Sequence, residues 1–144
     1  MKFELNTNDG CWYSKTKLDH RGLEVEVSLE IDEETFDADK EGQTFIEHVN
    51  KNWGNLEKSI LNDLFETHID WSDPSNGRPS FSEKGFLEKL IPCSISYGRW
   101  EDEEGLHQFC SLNLTDSNIF GGHLVNVTWD FSDGKISAQA DLFG

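Results

Sequence analysis

Val125 to Leu142 reads V-N-V-T-W-D-F-S-D-G-K-I-S-A-Q-A-D-L, and its Asp133-Gly134 step decides how the chain folds at its far end. A type I′ turn needs positive φ at both central residues, so Asp-Gly between two alternating segments is a strong hairpin signal. Folding about that pair sets Phe131 opposite Ile136, Trp129 opposite Ala138, Val127 opposite Ala140 and Val125 opposite Leu142. Side chains alternate with period two, so these residues share one face; Asn126, Thr128, Asp130, Ser137, Gln139 and Asp141 take the other. Turn chemistry and hydrophobic pattern agree independently. The tail is therefore expected to be a ribbon with one apolar wall.

Upstream of it, Cys93 to Glu101 and Leu106 to Leu114 read as two antiparallel strands around Asp102-Glu103-Glu104-Gly105. A four-residue loop aligns Ile95 with Leu112, Tyr97 with Cys110 and Cys93 with Leu114, which keeps Cys93 and Cys110 out of direct opposition and predicts no disulfide. Thr115-Asp116-Ser117-Asn118 turns the chain into the terminal hairpin. Before these strands, Ser80-x-x-Glu83 resembles a capping box for a short helix carrying Phe86, Leu87 and Leu90 and stopped by Pro92. Asp70 to Pro79 is loop by composition. Phe45, Val49, Trp53, Leu56, Ile60, Leu64 and His68 recur three or four residues apart, the pattern of a helix with one buried face. Gly54 costs such a helix about 1 kcal/mol relative to Ala and marks a kink or a break into two helices.

Nearer the N-terminus, Leu23, Val25, Val27, Leu29 and Ile31 alternate with Glu24, Glu26, Ser28, Glu30 and Asp32, a half-buried strand. Trp12 to Leu18 is expected to pair with it through a turn near His20-Arg21-Gly22, with Leu18 across from Leu23 or Val25 and Lys17 across from Glu24 or Glu26. Residues 3–5 read as a short strand leading to Trp12. This order of elements predicts an α+β fold over 1–144 as a single domain. Its antiparallel sheet consists of the N-terminal hairpin plus a C-terminal four-stranded meander, with the central helical block packed on one face.

Twelve Lys+Arg against 28 Asp+Glu give a formal charge of −16, which repels nucleic-acid phosphates and anionic lipid and would draw in a basic protein. Ten Phe and five Trp supply a core, so the acidity does not imply disorder. The Met1-Lys2-Phe3-Glu4 start turns polar at once and no run approaches membrane-spanning length, which predicts neither signal peptide nor anchor. Three cysteines without a C-x-x-C spacing fit a reducing cytoplasm.

Candidate chemistry is sparse. Gly121-Gly122-His123 permits a bulge or close backbone approach before a strand, with His123 at the mouth of a possible pocket as base or ligand. The plainer reading is a histidine that hydrogen-bonds backbone and fixes the strand's entry, because no Ser, Cys or carboxylate stands at recognisable spacing. Asp37-x-Asp39-x-Glu41-Gly42 begins like a calcium loop, but the bidentate acid would fall at His48, so acids at a helix start account for it better. His68 with Asp70 offers two metal-ligand types and lacks a third, and a satisfied core histidine is the better reading. The residues call for no cofactor and no metal, and name no catalytic group. Acids cluster in the run from Glu30 to Glu41 (Glu30, Asp32, Glu33, Glu34, Asp37, Asp39 and Glu41), of which Glu33, Glu34, Asp37 and Asp39 are candidate contacts, and at Glu101, Asp102, Glu103 and Glu104. Trp71 and Trp100 flank loops near acids and would anchor an interface if exposed. Trp53 and Trp129 read as core.

Ile119-Phe120-Gly121-Gly122-His123, the alternating Val125 and Val127, Asp133-Gly134-Lys135 and the closing Ala140-x-Leu142-x-Gly144 resemble a family of small bacterial domains of unknown function. In that family a C-terminal F-x-G-H strand runs into a hairpin ending near a glycine. The resemblance covers about the last quarter of the chain. It implies a cytoplasmic bacterial α+β protein and carries no catalytic residues across. Two functional expectations follow. One is a binding protein, such as an immunity protein that neutralises a basic toxin through its acidic segments and aromatic anchors. The other is a small-molecule or metal-dependent enzyme using His123, which requires a pocket there and a second titratable group within reach.

Overall fold

The structure is a computed structural model and describes residues 1–115, 118–131 and 136–144. Seven strands form one sheet in which sequence order is spatial order. They are β1 (Glu4–Asn6), β2 (Cys11–Lys17), β3 (Glu24–Ile31), β4 (Ile91–Asp102), β5 (Gly105–Thr115), β6 (Leu124–Asp130) and β7 (Ala138–Phe143). Between β3 and β4 lie α1 (Ala38–Lys51), α2 (Trp53–Trp71), a single 3-10 turn at Pro74–Asn76 and α3 (Glu83–Lys89). The α+β class holds. The division into a hairpin and a separate four-stranded meander gives way to one continuous sheet, because β3 and β4 pair directly and in parallel, Val27 beside Ile95 and Leu29 beside Tyr97. A parallel pair needs a long crossover, and the helical block supplies it.

The terminal ribbon pairs as its alternation requires: Val125 with Leu142, Val127 with Ala140 and Trp129 with Ala138. Val127 and Trp129 are buried. Phe131 and Ile136 fall beyond the ladder, and the Asp133-Gly134 turn lies outside the described residues, as do Asp116 and Ser117 of the preceding turn. In β4–β5, Ile95 pairs with Leu112 and Tyr97 with Cys110 as expected. Pro92, not Cys93, stands opposite Leu114, since the register shifts between Pro92 and Ser94 and leaves Cys93 exposed on a bulge. The loop at the tip is also shorter than expected: Asp102 and Gly105 are already paired, and Gly105 adopts φ 119° to close the turn. At the N-terminal hairpin Lys17 pairs with Glu24, and the Leu18 N–H donates to the Leu23 carbonyl.

One face of the sheet carries Val25, Val27, Leu29, Ile95, Tyr97, Leu112, Leu114, Val125, Val127 and Trp129, all buried. Against it α1 sets Phe45 and Val49, α2 sets Leu56, Ile60 and Leu64, and α3 sets Phe86, in one core cluster. Full burial of each such side chain contributes about 1.5–3 kcal/mol before conformational entropy is charged. The break between α1 and α2 falls at Asn52 (φ −105°, ψ 12°), not at Gly54. The Asn52 side chain donates to the His48 carbonyl at 2.9 Å, capping the end of α1, while Gly54 sits exposed inside α2 with open space around it. The cap of α3 is Ser82, whose hydroxyl accepts from the Gly85 N–H at 3.1 Å, so the helix starts two residues later than a cap at Ser80 would give. Asp63 of α2 accepts the Ala140 N–H at 2.9 Å, so the helix occupies a donor on the outer edge of β7.

Candidate functional site

The opposite face of the sheet is built from the alternate residues, and its side chains are half-buried or exposed. Its rows follow from the register. Ser28, Ser96, Ser111 and Thr128 form one row across β3–β6; Glu30, Gly98, Phe109 and Asp130 form the next. The Asp32 N–H donates to the Arg99 carbonyl at 2.9 Å, which carries the pairing one step further and brings Asp32 alongside Trp100. Trp100 in turn pairs with His107.

These rows enclose a groove of about 810 Å³. Gly98 and the serines 28, 96 and 111 form its floor, Phe109 and Trp100 its aromatic walls, and Glu30, Asp32 and Asp9 its acidic rim. Trp100 and Phe109 are 42% and 43% exposed, too open to be core residues. Two strand spacings separate Glu30 from Phe109, a gap of roughly 10 Å with only a glycine between them. Gly98 is not demanded by the backbone, since its φ is not positive. Nor is it demanded by packing: a Cβ there would meet its nearest neighbours, the Glu30 carbonyl and the Trp100 ring, at ordinary contact of 3.8 Å. A glycine in mid-strand costs roughly 0.5–1 kcal/mol relative to alanine, and its visible effect here is to open the groove.

The walls are braced from behind. His107 Nε2 lies 2.8 Å from Asp102 Oδ1, and its ring stacks on Trp100 at 5.3 Å. The hydrogen bond from His107, together with the Glu104 N–H, holds the Asp102 carboxyl below the usual carboxylate range. On the other side Asp9 accepts the Tyr13 hydroxyl at 2.6 Å and the Cys11 N–H at 2.8 Å. Both contacts hold the Asp9 carboxyl below the usual carboxylate range, and donating its hydrogen bond to Asp9 pushes the Tyr13 phenol up to about 12. Burial raises the Cys11 thiol, so it offers no thiolate.

The residues singled out from the sequence divide among different places. Trp100 and Glu101, Asp102, Glu103 and Glu104 stand together at the β4–β5 tip, all exposed. The other acidic segment is largely engaged in holding the fold. Asp37 caps α1 by accepting the Lys40 N–H, and Asp39 accepts the Phe3 N–H at 2.7 Å. Glu33 and Glu41 grip Arg99, at 2.7 Å and 2.9 Å, and only Glu34 of the named acids there is exposed without such a bond among the described residues. Residues 38–42 are the first turns of a helix, which is incompatible with a calcium loop. Gly42 there admits the Phe3 ring against the helix backbone.

Trp71 lies at the other end of the molecule, edge-on to Phe120 at 5.7 Å and to His123 at 5.6 Å. Trp100 pairs with His107 near one end of β5, while Val125, just past His123, pairs with Leu114 near the other, roughly 24 Å away. Trp71 and Trp100 therefore cannot anchor one small contact. Gly121 (φ 65°) and Gly122 (φ 87°) make the turn into β6, and His123 meets an indole rather than a carboxylate, serine or thiol among the described residues. His68 is buried and satisfied: its Nδ1 donates to the Phe65 carbonyl at 2.8 Å and its Nε2 accepts the Phe81 N–H at 2.9 Å. Among the described residues no three His, Cys, Asp or Glu side chains stand close enough to hold a metal ion. No described helix is long and apolar enough to cross a membrane.

From the sequence Glu30 and Asp32 stand in the acidic run but not beside Trp100, and Phe109 is not singled out at all. The signal was present in the alternation Ser94, Ser96, Gly98, Trp100, which shrinks and then enlarges along one face, and in Phe109 standing out of phase with Cys110 and Leu112. No family model, curated protein or solved structure matches the chain.

Proposed function

We propose that this chain is a binding protein that captures a basic protein partner through the open face of its sheet, acting in the cytoplasm as an immunity protein does when it covers the active site of a basic toxin. The observation that carries the reading is the pair of exposed aromatics, Trp100 and Phe109, set in an acidic groove on a sheet face with no buried side chain among those described. Exposed aromatics that a partner can bury are the usual anchors of an interface, while a charge of −16 steers a basic partner toward them. Among the described residues His123 meets an indole and no carboxylate, serine or thiol, so nothing described there supports the enzyme reading.

The test is stopped-flow association with a panel of basic nuclease toxin domains across a salt series. The association rate constant with the cognate partner should fall about tenfold or more between 50 mM and 500 mM NaCl, because screening removes steering. Association that is indifferent to salt with every basic domain tried would overturn the reading.

A further inference from the structure

We infer that the groove over Gly98 is a cleft for an arginine side chain of the partner, with the guanidinium laid against Trp100 and Phe109 and paired by Glu30 and Asp32. This rests on the proposed binding role and assigns the chemistry of its centre. The groove is about 810 Å³, more than one side chain needs, so it accommodates an inserted arginine together with the backbone of the segment that carries it.

Three features select arginine. The walls are aromatic faces and edges, on which a planar, weakly hydrated guanidinium stacks better than an ammonium. Glu30 of β3 and Asp32 just past its end flank the groove, and neither has an ion-pair partner among the described residues. Two carboxylates along one strand edge match the forked donors of a guanidinium. The floor is the third feature. A Cβ at Gly98 would meet its neighbours only at ordinary van der Waals contact, 3.8 Å or more, and the φ is not positive, so a larger residue would fit the fold while filling the cleft. Trp100 is held over that floor by its stack on His107, which Asp102 fixes in turn, so the aromatic wall is set before any partner arrives.

The experiment titrates the ¹⁵N-labelled chain with a hexa-arginine peptide and, separately, a hexa-lysine peptide of equal charge, and repeats both with Gly98→Val. The arginine peptide should shift the Gly98 and Phe109 amides and the Trp100 indole N–H, and should bind at least tenfold more tightly than the lysine peptide. Gly98→Val should weaken the arginine peptide at least tenfold while its melting temperature stays equal to or above that of the parent. If both peptides bind equally, or Gly98→Val binds as the parent does, or the shifts map only to the 33–41 and 101–104 segments, the cleft is refuted and the broader acidic-surface reading stands. If neither peptide binds and no basic toxin domain associates either, both fall together.

Discussion

Gly42 provides a test in which two well-known effects oppose each other. Replacing a glycine inside a helix by alanine normally stabilises by about 1 kcal/mol, because the unfolded chain loses freedom and the helix backbone is favoured. In α1 the new methyl would overlap the Phe3 ring, which is buried and packs against this turn of the helix. Helix backbone cannot give way, so Phe3 must move. Overpacking of this kind costs about 1–3 kcal/mol, and outright expulsion of a buried Phe about 3–5 kcal/mol. Subtracting the helix gain leaves Gly42→Ala destabilised by up to about 2 kcal/mol if Phe3 only shifts and by about 2–4 kcal/mol if it is expelled, the latter equivalent to roughly 6–14 °C in melting temperature for a chain of this length. In a Phe3→Ala background the obstacle is gone, and the same substitution should stabilise by about 1 kcal/mol. Urea unfolding of the four proteins, followed by far-UV circular dichroism, measures the cycle. A stabilising Gly42→Ala in the parent, or equal effects in both backgrounds, would show that Phe3 does not seat on α1 and that β1 is not anchored as described.

Two further outcomes follow from half-buried groups at the helix–sheet boundary. Trp129 Nε1 donates to His48 Nε2 at 2.9 Å, which requires a neutral imidazole, and burial together with nearby Lys51 depresses the His48 pKa. A histidine depressed in the folded state binds its proton more readily when unfolded, so its contribution is complete above about pH 6.5 and is lost as pH falls toward the folded value. Thermal melts from pH 8 to pH 5 should therefore show the parent losing more stability than His48→Gln, and parallel profiles would contradict the assignment. Arg99 bonds Glu41 through both terminal nitrogens, at 2.9 Å and 3.1 Å, and Glu33 at 2.7 Å, tying residues 33–41 to the end of β4. Arg99→Met should cost about 1–2 kcal/mol, less than for a fully buried pair because both carboxylates reach solvent, and Glu41→Gln should restore part of it in urea unfolding.

Much of the architecture was legible because strand alternation is a local property. The parity of Val125, Val127 and Trp129 fixes which face they share whatever the rest of the chain does, and the same alternation in Ala138, Ala140 and Leu142 matches them to their partners in β7. The alternation in β3 and the Tyr97–Cys110 register followed in the same way. Helix breaks were less legible. Gly54 carries the propensity signal, yet the chain breaks at Asn52, where the side chain can cap the His48 carbonyl and Trp53 turns inward to stack on His20 at 5.1 Å. A residue's competence to cap outweighed another's reluctance to be helical.

By itself, then, the order of residues determined which side chains face oil and which face water, the pairing of neighbouring strands, and a charge that suits basic partners. Adjacency between β3 and β4 was decided only in three dimensions, because some sixty residues of helical crossover separate them in sequence and their pairing depends on how that block packs. The groove inherits this dependence. Glu30 and Asp32 come from one side of the crossover and Gly98, Trp100 and Phe109 from the other, so no local pattern joins them. Their meeting is a consequence of the parallel seam, which aligns an acidic edge with a missing side chain and leaves two aromatic rings facing outward.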